Sequence, residues 1–134
     1  MSSENYYLFL LTEKNWKITK TTNIIGTDNL ETFSRIKQRD KVLVYITGIS
    51  EIKALYEVIE KYEDPEDLFI DKKYPYRFRL NVIKFFDQKS DFHTLISRLD
   101  FIENKEYWYS FLGGIKGTRK LSLRDFNVIV KMLT

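Results

Sequence analysis

At 134 residues, with 43% hydrophobic side chains, five glycines and two prolines, the chain fits one domain over residues 1–134 rather than a disordered or fibrous polymer. The absence of cysteine and the single histidine, His93, exclude a disulfide framework, thiol chemistry and an ordinary zinc site, so no cofactor is expected and a reducing, cytoplasmic setting fits. A net charge of +3 with pI ≈ 9.0 does not diagnose nucleic acid by itself, and no apolar run approaches the roughly 20 residues that cross a bilayer, so no membrane contact is expected.

Tyr6-Tyr7-Leu8-Phe9-Leu10-Leu11 contains no acid or base and reads as a strand buried on both faces. Thr12 follows as a helix N-cap, and the short helix after it carries Trp16 and Ile18. Thr22 to Thr27 places turn residues around two adjacent aliphatics, Ile24 and Ile25. One of these can enter the core while the other faces a pocket, a neighbour or solvent. Phe33 and Ile36 mark one helical turn. Lys41-Val42-Leu43-Val44-Tyr45-Ile46, between a polar turn and Gly48, is short and β-branched, as a central strand should be.

Residues 52–62 support two readings. Ile52, Leu55, Tyr56 and Ile59 fit a helical period, whereas Leu55 to Glu60 also fits a strand paired with the central one. Asp64-Pro65-Glu66-Asp67 marks a turn, and an ordered loop follows from Phe69 to Tyr74. In Tyr76-Arg77-Phe78-Arg79-Leu80-Asn81-Val82 the apolar side chains alternate with Arg77, Arg79 and Asn81, giving a strand with one buried face. Its two arginines share the outer face, suited to phosphate contacts or to cross-strand ion pairs.

Phe92, Leu95, Ile96 and Leu99 are spaced for one helix face. Tyr107, Trp108, Tyr109 and Phe111 form an aromatic plug, and Gly113, Gly114 and Gly117 permit a reversal among Lys116, Arg119 and Lys120. Ser122-Leu123-Arg124-Asp125 opens a C-terminal helix ending near Leu133. Residues 1–67 carry nine basic and twelve acidic side chains, against thirteen and seven in residues 68–134. The second half is thus the candidate anion-facing surface.

Several short motifs, in this order and spacing, resemble the EVE-domain proteins of archaea and bacteria, relatives of YTH domains in the PUA-like superfamily. They are Thr12-Glu13-Lys14-Asn15-Trp16, Asp40-Lys41-Val42 leading to Tyr45, Leu55-Tyr56-Glu57-Val58, Tyr74-Pro75-Tyr76-Arg77, Trp108 with its following glycine, and Leu121-Ser122-Leu123. The resemblance implies an α+β fold, a small bent β-barrel with helices packed around its rim, and it decides residues 52–62 in favour of a strand.

YTH domains read a methylated base in an aromatic cage. The resemblance therefore implies a prokaryotic, non-catalytic module that binds RNA or DNA through a barrel-mouth pocket, with a modified base as ligand. In this correspondence Ile25 stands where relatives have a cage tryptophan, beside Gly26 and Thr27. Tyr74 is the second wall, Thr12 lies at the entrance, and Trp16 and Trp108 lie near the pocket. Arg77, Arg79, Lys116, Arg119 and Lys120 would contact the backbone of the nucleic acid. The alternative is a protein-interaction or regulatory module with a vestigial pocket. An enzyme ranks last, for lack of a nucleophile and base pair, a phosphate loop or clustered metal ligands.

Overall fold

The computed structural model describes residues 4–70, 72–86, 96, 98–100, 102 and 117–134. The expected helix at 92–99 falls largely outside this set, and the aromatic segment at 103–112, with Trp108, and Lys116 lie wholly outside it.

Among the described residues the elements in chain order are β1 (Tyr6–Leu11), α1 (Glu13–Thr22), β2 (Ile24–Thr27), α2 (Leu30–Arg35), β3 (Lys41–Ile46), β4 (Glu51–Glu63), β5 (Tyr76–Phe85), β6 (Thr118–Leu121) and α3 (Leu123–Leu133). Among the described residues six strands form one sheet in the order β2-β5-β4-β3-β1-β6, curled into a half-barrel. β3 is central, as its composition requires: it runs parallel to β1 and antiparallel to β4. Residues 52–62 belong to the thirteen-residue β4, not to a helix.

Because side chains alternate across a strand, β1 and β3 supply two cores. Leu8, Leu43 and Tyr45 pack with Phe126, Ile129 and Leu133 of α3 on one side. Tyr7, Phe9, Leu11, Val42, Val44 and Ile46 pack with Phe78 on the other, where Trp16 of α1 and Phe33 of α2 close over them. Register shifts in the β3/β4 and β4/β5 ladders mark bulges, which bend and twist a sheet.

The helix starts follow their caps. Thr12 Oγ1 accepts the Asn15 amide at 3.2 Å, and Ser122 Oγ accepts the Asp125 amide at 3.1 Å. Asp125, buried at the start of α3, also accepts the Asp100 amide at 2.9 Å, tying the helix to the preceding segment. Among the described residues no helix is long and apolar enough to cross a membrane.

Candidate functional site

At the C-terminal end of β1 the half-barrel leaves a cavity of about 90 Å³. Its floor is the last turn of that strand, Phe9 to Leu11. Thr12 and Asn15 border it from the start of α1, Gly26 and Thr27 from β2, and Phe69 and Tyr74 from the loop before β5. The lining therefore combines aromatic and aliphatic surface with hydroxyl and amide groups, the mixture by which small-ligand sites combine burial with orientation.

The aromatic wall is built with little freedom. The Phe69 and Tyr74 rings stand edge to face, with centroids 5.6 Å apart and planes at 86°, a favoured aromatic geometry. Tyr74 adopts φ 46°, in the left-handed region that non-glycine residues seldom occupy. Gly26 allows this close approach, since a Cβ there would lie 2.8 Å from the Phe69 ring and 2.9 Å from the Tyr74 carbonyl oxygen. A glycine inside a strand often has this role.

Arg77 holds the same loop from behind. Its side chain is buried and donates to the carbonyls of Tyr74 at 3.2 Å, Lys73 at 3.1 Å and Glu66. The Asp64 carboxylate stands 3.5 Å away as counter-charge. From the other side, Asn15, itself buried, accepts the Ile70 amide at 3.1 Å. Asp64 begins the loop with an Asx turn, accepting the Glu66 amide at 2.9 Å. Opposite Arg77 in the β4/β5 ladder, burial raises the Tyr62 phenol above its ordinary pKa, against the opposing pull of Arg79 and Arg77.

The family profile of the EVE domain matches residues 5–132. The chain belongs to the EVE domain family. No curated protein sequence matches it. Among solved structures, this EVE domain is similar to a hypothetical protein from Leishmania major, at 18% identity and TM-score 0.69, with 97% of this chain and 94% of that one covered. It is also similar to the Mmi1 YTH domain solved in complex with RNA, at 12% identity and TM-score 0.71, with 97% and 77% covered. A third similar structure is the Pho92 YTH domain in complex with m6A, at 10% identity and TM-score 0.64, with 99% and 85% covered. At these identities the likeness establishes the fold.

The residues expected at the site separate into groups. Thr12, Gly26, Thr27 and Tyr74 line the EVE-domain cavity together. Ile25 does not: it is fully buried in the core with Phe78 and Val44, which corrects the expected apolar slot between Ile25 and Tyr74; the ring beside Tyr74 in the cavity lining is Phe69. In a strand of four residues Ile25 takes the inward position, and Ile24 is the half-buried one. Trp16 is turned toward Tyr56 and Phe85, with ring centroids at 6.5 and 6.3 Å, while its neighbour Asn15 borders the cavity.

The expected backbone contacts also separate. Arg77 is buried against carbonyls, which corrects its expected place on the open face of β5. Arg79 is exposed beside Glu60, with its guanidinium over the Tyr62 ring at 5.4 Å. Arg119 and Lys120 pair with Leu8 and Tyr7 on β1, and Lys120 lines a separate depression with Glu4, Tyr6 and the start of α3. Arg119 is thus one residue along the strand from the cavity floor at Phe9, and the Gly117 carbonyl accepts the Leu10 amide of that floor at 2.8 Å.

Sequence reasoning missed Phe69 and Asn15. Phe69 carried no periodic signal, lying in a loop. Asn15 entered only as part of the Thr12-Glu13-Lys14-Asn15-Trp16 motif and was given no role, although its place three after the N-cap put it beside the pocket entrance.

Proposed function

We propose that this EVE domain is a non-catalytic module that binds nucleic acid by taking one base, a modified one, into the cavity between Phe69, Tyr74 and the Thr12–Asn15 turn. The observation that carries the reading is the edge-to-face Phe69 and Tyr74 wall opposite polar groups, in a fold shared with YTH domains solved with RNA and with m6A. A base can stack on Tyr74 while Thr12, Asn15 or Thr27 meets its polar edge. Extruding a base from its stack costs a few kcal/mol, and aromatic stacking of roughly 1–3 kcal/mol with hydrogen bonds offsets it.

Titration with matched methylated and unmethylated oligonucleotides tests the reading. The expected result is tighter binding of one methylated strand, and no affinity for any strand at low salt would remove it. The alternative, a protein-interaction module with a vestigial pocket, is favoured by one observation: Ile25, which the resemblance places at a cage-wall position, is buried in the core and does not line the cavity. A stable homodimer that binds no oligonucleotide would support that alternative.

A further inference from the structure

Beside the base cavity, and sharing Phe69 with it, lies a shallow depression of about 340 Å³ bordered by Asp67, Ile70, Lys72 and Lys73. Its backbone is fixed from two sides: Asn15 holds the Ile70 amide, and Arg77 holds the Lys73 carbonyl. Lys73 projects from this fixed backbone, exposed, with no ion-pair partner among the described residues. Lys72 reaches the other way. Its ammonium stands 3.2 Å from Asp28, the residue after Thr27 of the cavity, in a pair whose two side chains are 57% and 35% exposed. An exposed pair of this kind is weak and exchanges its carboxylate for another anion at little cost. Ile70, 64% exposed, adds an apolar surface next to both lysines.

We propose that this platform is the phosphate track of the EVE domain: Lys72 and Lys73 take the phosphodiesters flanking the nucleotide whose base enters the cavity, and Ile70 supports the adjoining sugar. The proposal rests on the base-pocket reading and goes beyond it by assigning the strand's path. That path runs over the loop before β5. Asp67, on the same depression, sets the limit of the anionic path. RNA and DNA both supply the phosphodiester, and the test separates them.

The experiment measures binding of short single-stranded RNA and of DNA of the same sequence, each with a central methylated adenine or methylated cytosine, across a salt series. The proteins are the wild type, Lys72→Ala, Lys73→Ala, the double variant and Lys131→Ala, a lysine on the distant C-terminal helix. A lost phosphate contact lowers the slope of log affinity against log salt by roughly 0.7 for a single strand. Each single variant should lose about that much, the double variant about twice as much with several-fold weaker binding, and Lys131→Ala nothing. The free methylated nucleoside should bind all five proteins alike. If the double variant keeps the wild-type slope, the track is overturned and the base pocket stands. If the lysine variants also lose the free nucleoside, the lysines act through the pocket wall and the track is again overturned. If the wild type binds no strand, both readings fall.

Discussion

A Cβ placed on Gly26 would lie 2.9 Å from both the Cβ and the carbonyl oxygen of Tyr74, so β2 and the pocket wall meet with no room for a side chain between them. Gly26→Ala must push the Phe69–Tyr74 wall outward. A loss of roughly 1–3 kcal/mol is expected from such overpacking, together with loss of nucleoside binding. Gly48 is the contrast: it has open space around it but φ +92°. Gly48→Ala should cost roughly 1–2 kcal/mol through the left-handed backbone alone and leave binding intact. Thermal denaturation and nucleoside titration of the two variants check this, and a Gly26→Ala protein that melts and binds like the wild type would contradict it.

Removing Arg77 leaves the carbonyls of Glu66, Lys73 and Tyr74 without their donor. Arg77→Met should destabilise by roughly 1–3 kcal/mol and weaken base binding by releasing the wall. Arg77→Lys should rescue little, because an ammonium lacks the planar fork that reaches several carbonyls at once. With Lys72 and Lys73 already replaced by alanine, the salt slope of oligonucleotide binding should be unchanged by either variant, since a guanidinium buried against carbonyls meets no phosphate. A further lowered slope in that background would place Arg77 on the strand after all.

Ile25 and Tyr74 should respond in opposite ways. Ile25 is fully buried, so Ile25→Trp should cost roughly 1–3 kcal/mol by overpacking and improve binding of no base, and Ile25→Ala should cost roughly 2–5 kcal/mol through the cavity it leaves. Tyr74→Ala should weaken binding about tenfold or more, the equivalent of one lost aromatic stack. Melting curves and titrations of the same proteins distinguish the roles. An Ile25→Trp variant that is stable and binds a methylated base more tightly would show that residue 25 faces the pocket.

Tyr56 gives a pH-dependent prediction. Its hydroxyl is buried with no hydrogen-bond partner among the described residues, and burial pushes the phenol up to about 12 from its ordinary 10.0. The folded state therefore holds the proton that the unfolded chain releases. Stability from this difference is fully present below pH 10 and is lost as pH rises toward 12. Tyr56→Phe removes both the unpaired hydroxyl and the titration. It should be more stable than the wild type at neutral pH, by up to about 1 kcal/mol, with the gap widening between pH 10 and 12. Urea unfolding at pH 7, 10 and 11 checks the sign, and a Tyr56→Phe variant that is less stable at pH 7 would reveal a partner for the hydroxyl.

The strands of the fold were legible where burial on both faces left no ambiguity, as in β1 and β3, and the helix starts were legible from Thr12 and Ser122. β4 was ambiguous for a physical reason. Bulges between Leu55 and Tyr56 and between Val58 and Glu60 shift the alternation, so buried residues recur at spacings that imitate a helix. The site was legible in part. Thr12, Gly26, Thr27 and Tyr74 came from the family resemblance. Arg77 was misplaced because strict alternation put it on an open face that the 64–74 loop in fact covers. Ile25 was misplaced because two adjacent aliphatics in a four-residue strand do not declare which one points inward. Phe69 and Asn15 owe their roles to a contact fifty-five residues apart in sequence, the Ile70 amide on the Asn15 side chain, which no local pattern encodes.

The central claim is that a base occupies the cavity between Phe69, Tyr74 and the start of α1. The most direct measurement is NMR titration of the isotope-labelled protein with a methylated nucleoside, which follows every backbone amide at once. The account predicts saturable shifts concentrated at Thr12, Asn15, Gly26, Thr27 and Tyr74, reduced or absent in Tyr74→Ala. Shifts confined to other surfaces, or none at those five residues while a methylated oligonucleotide binds, would contradict it.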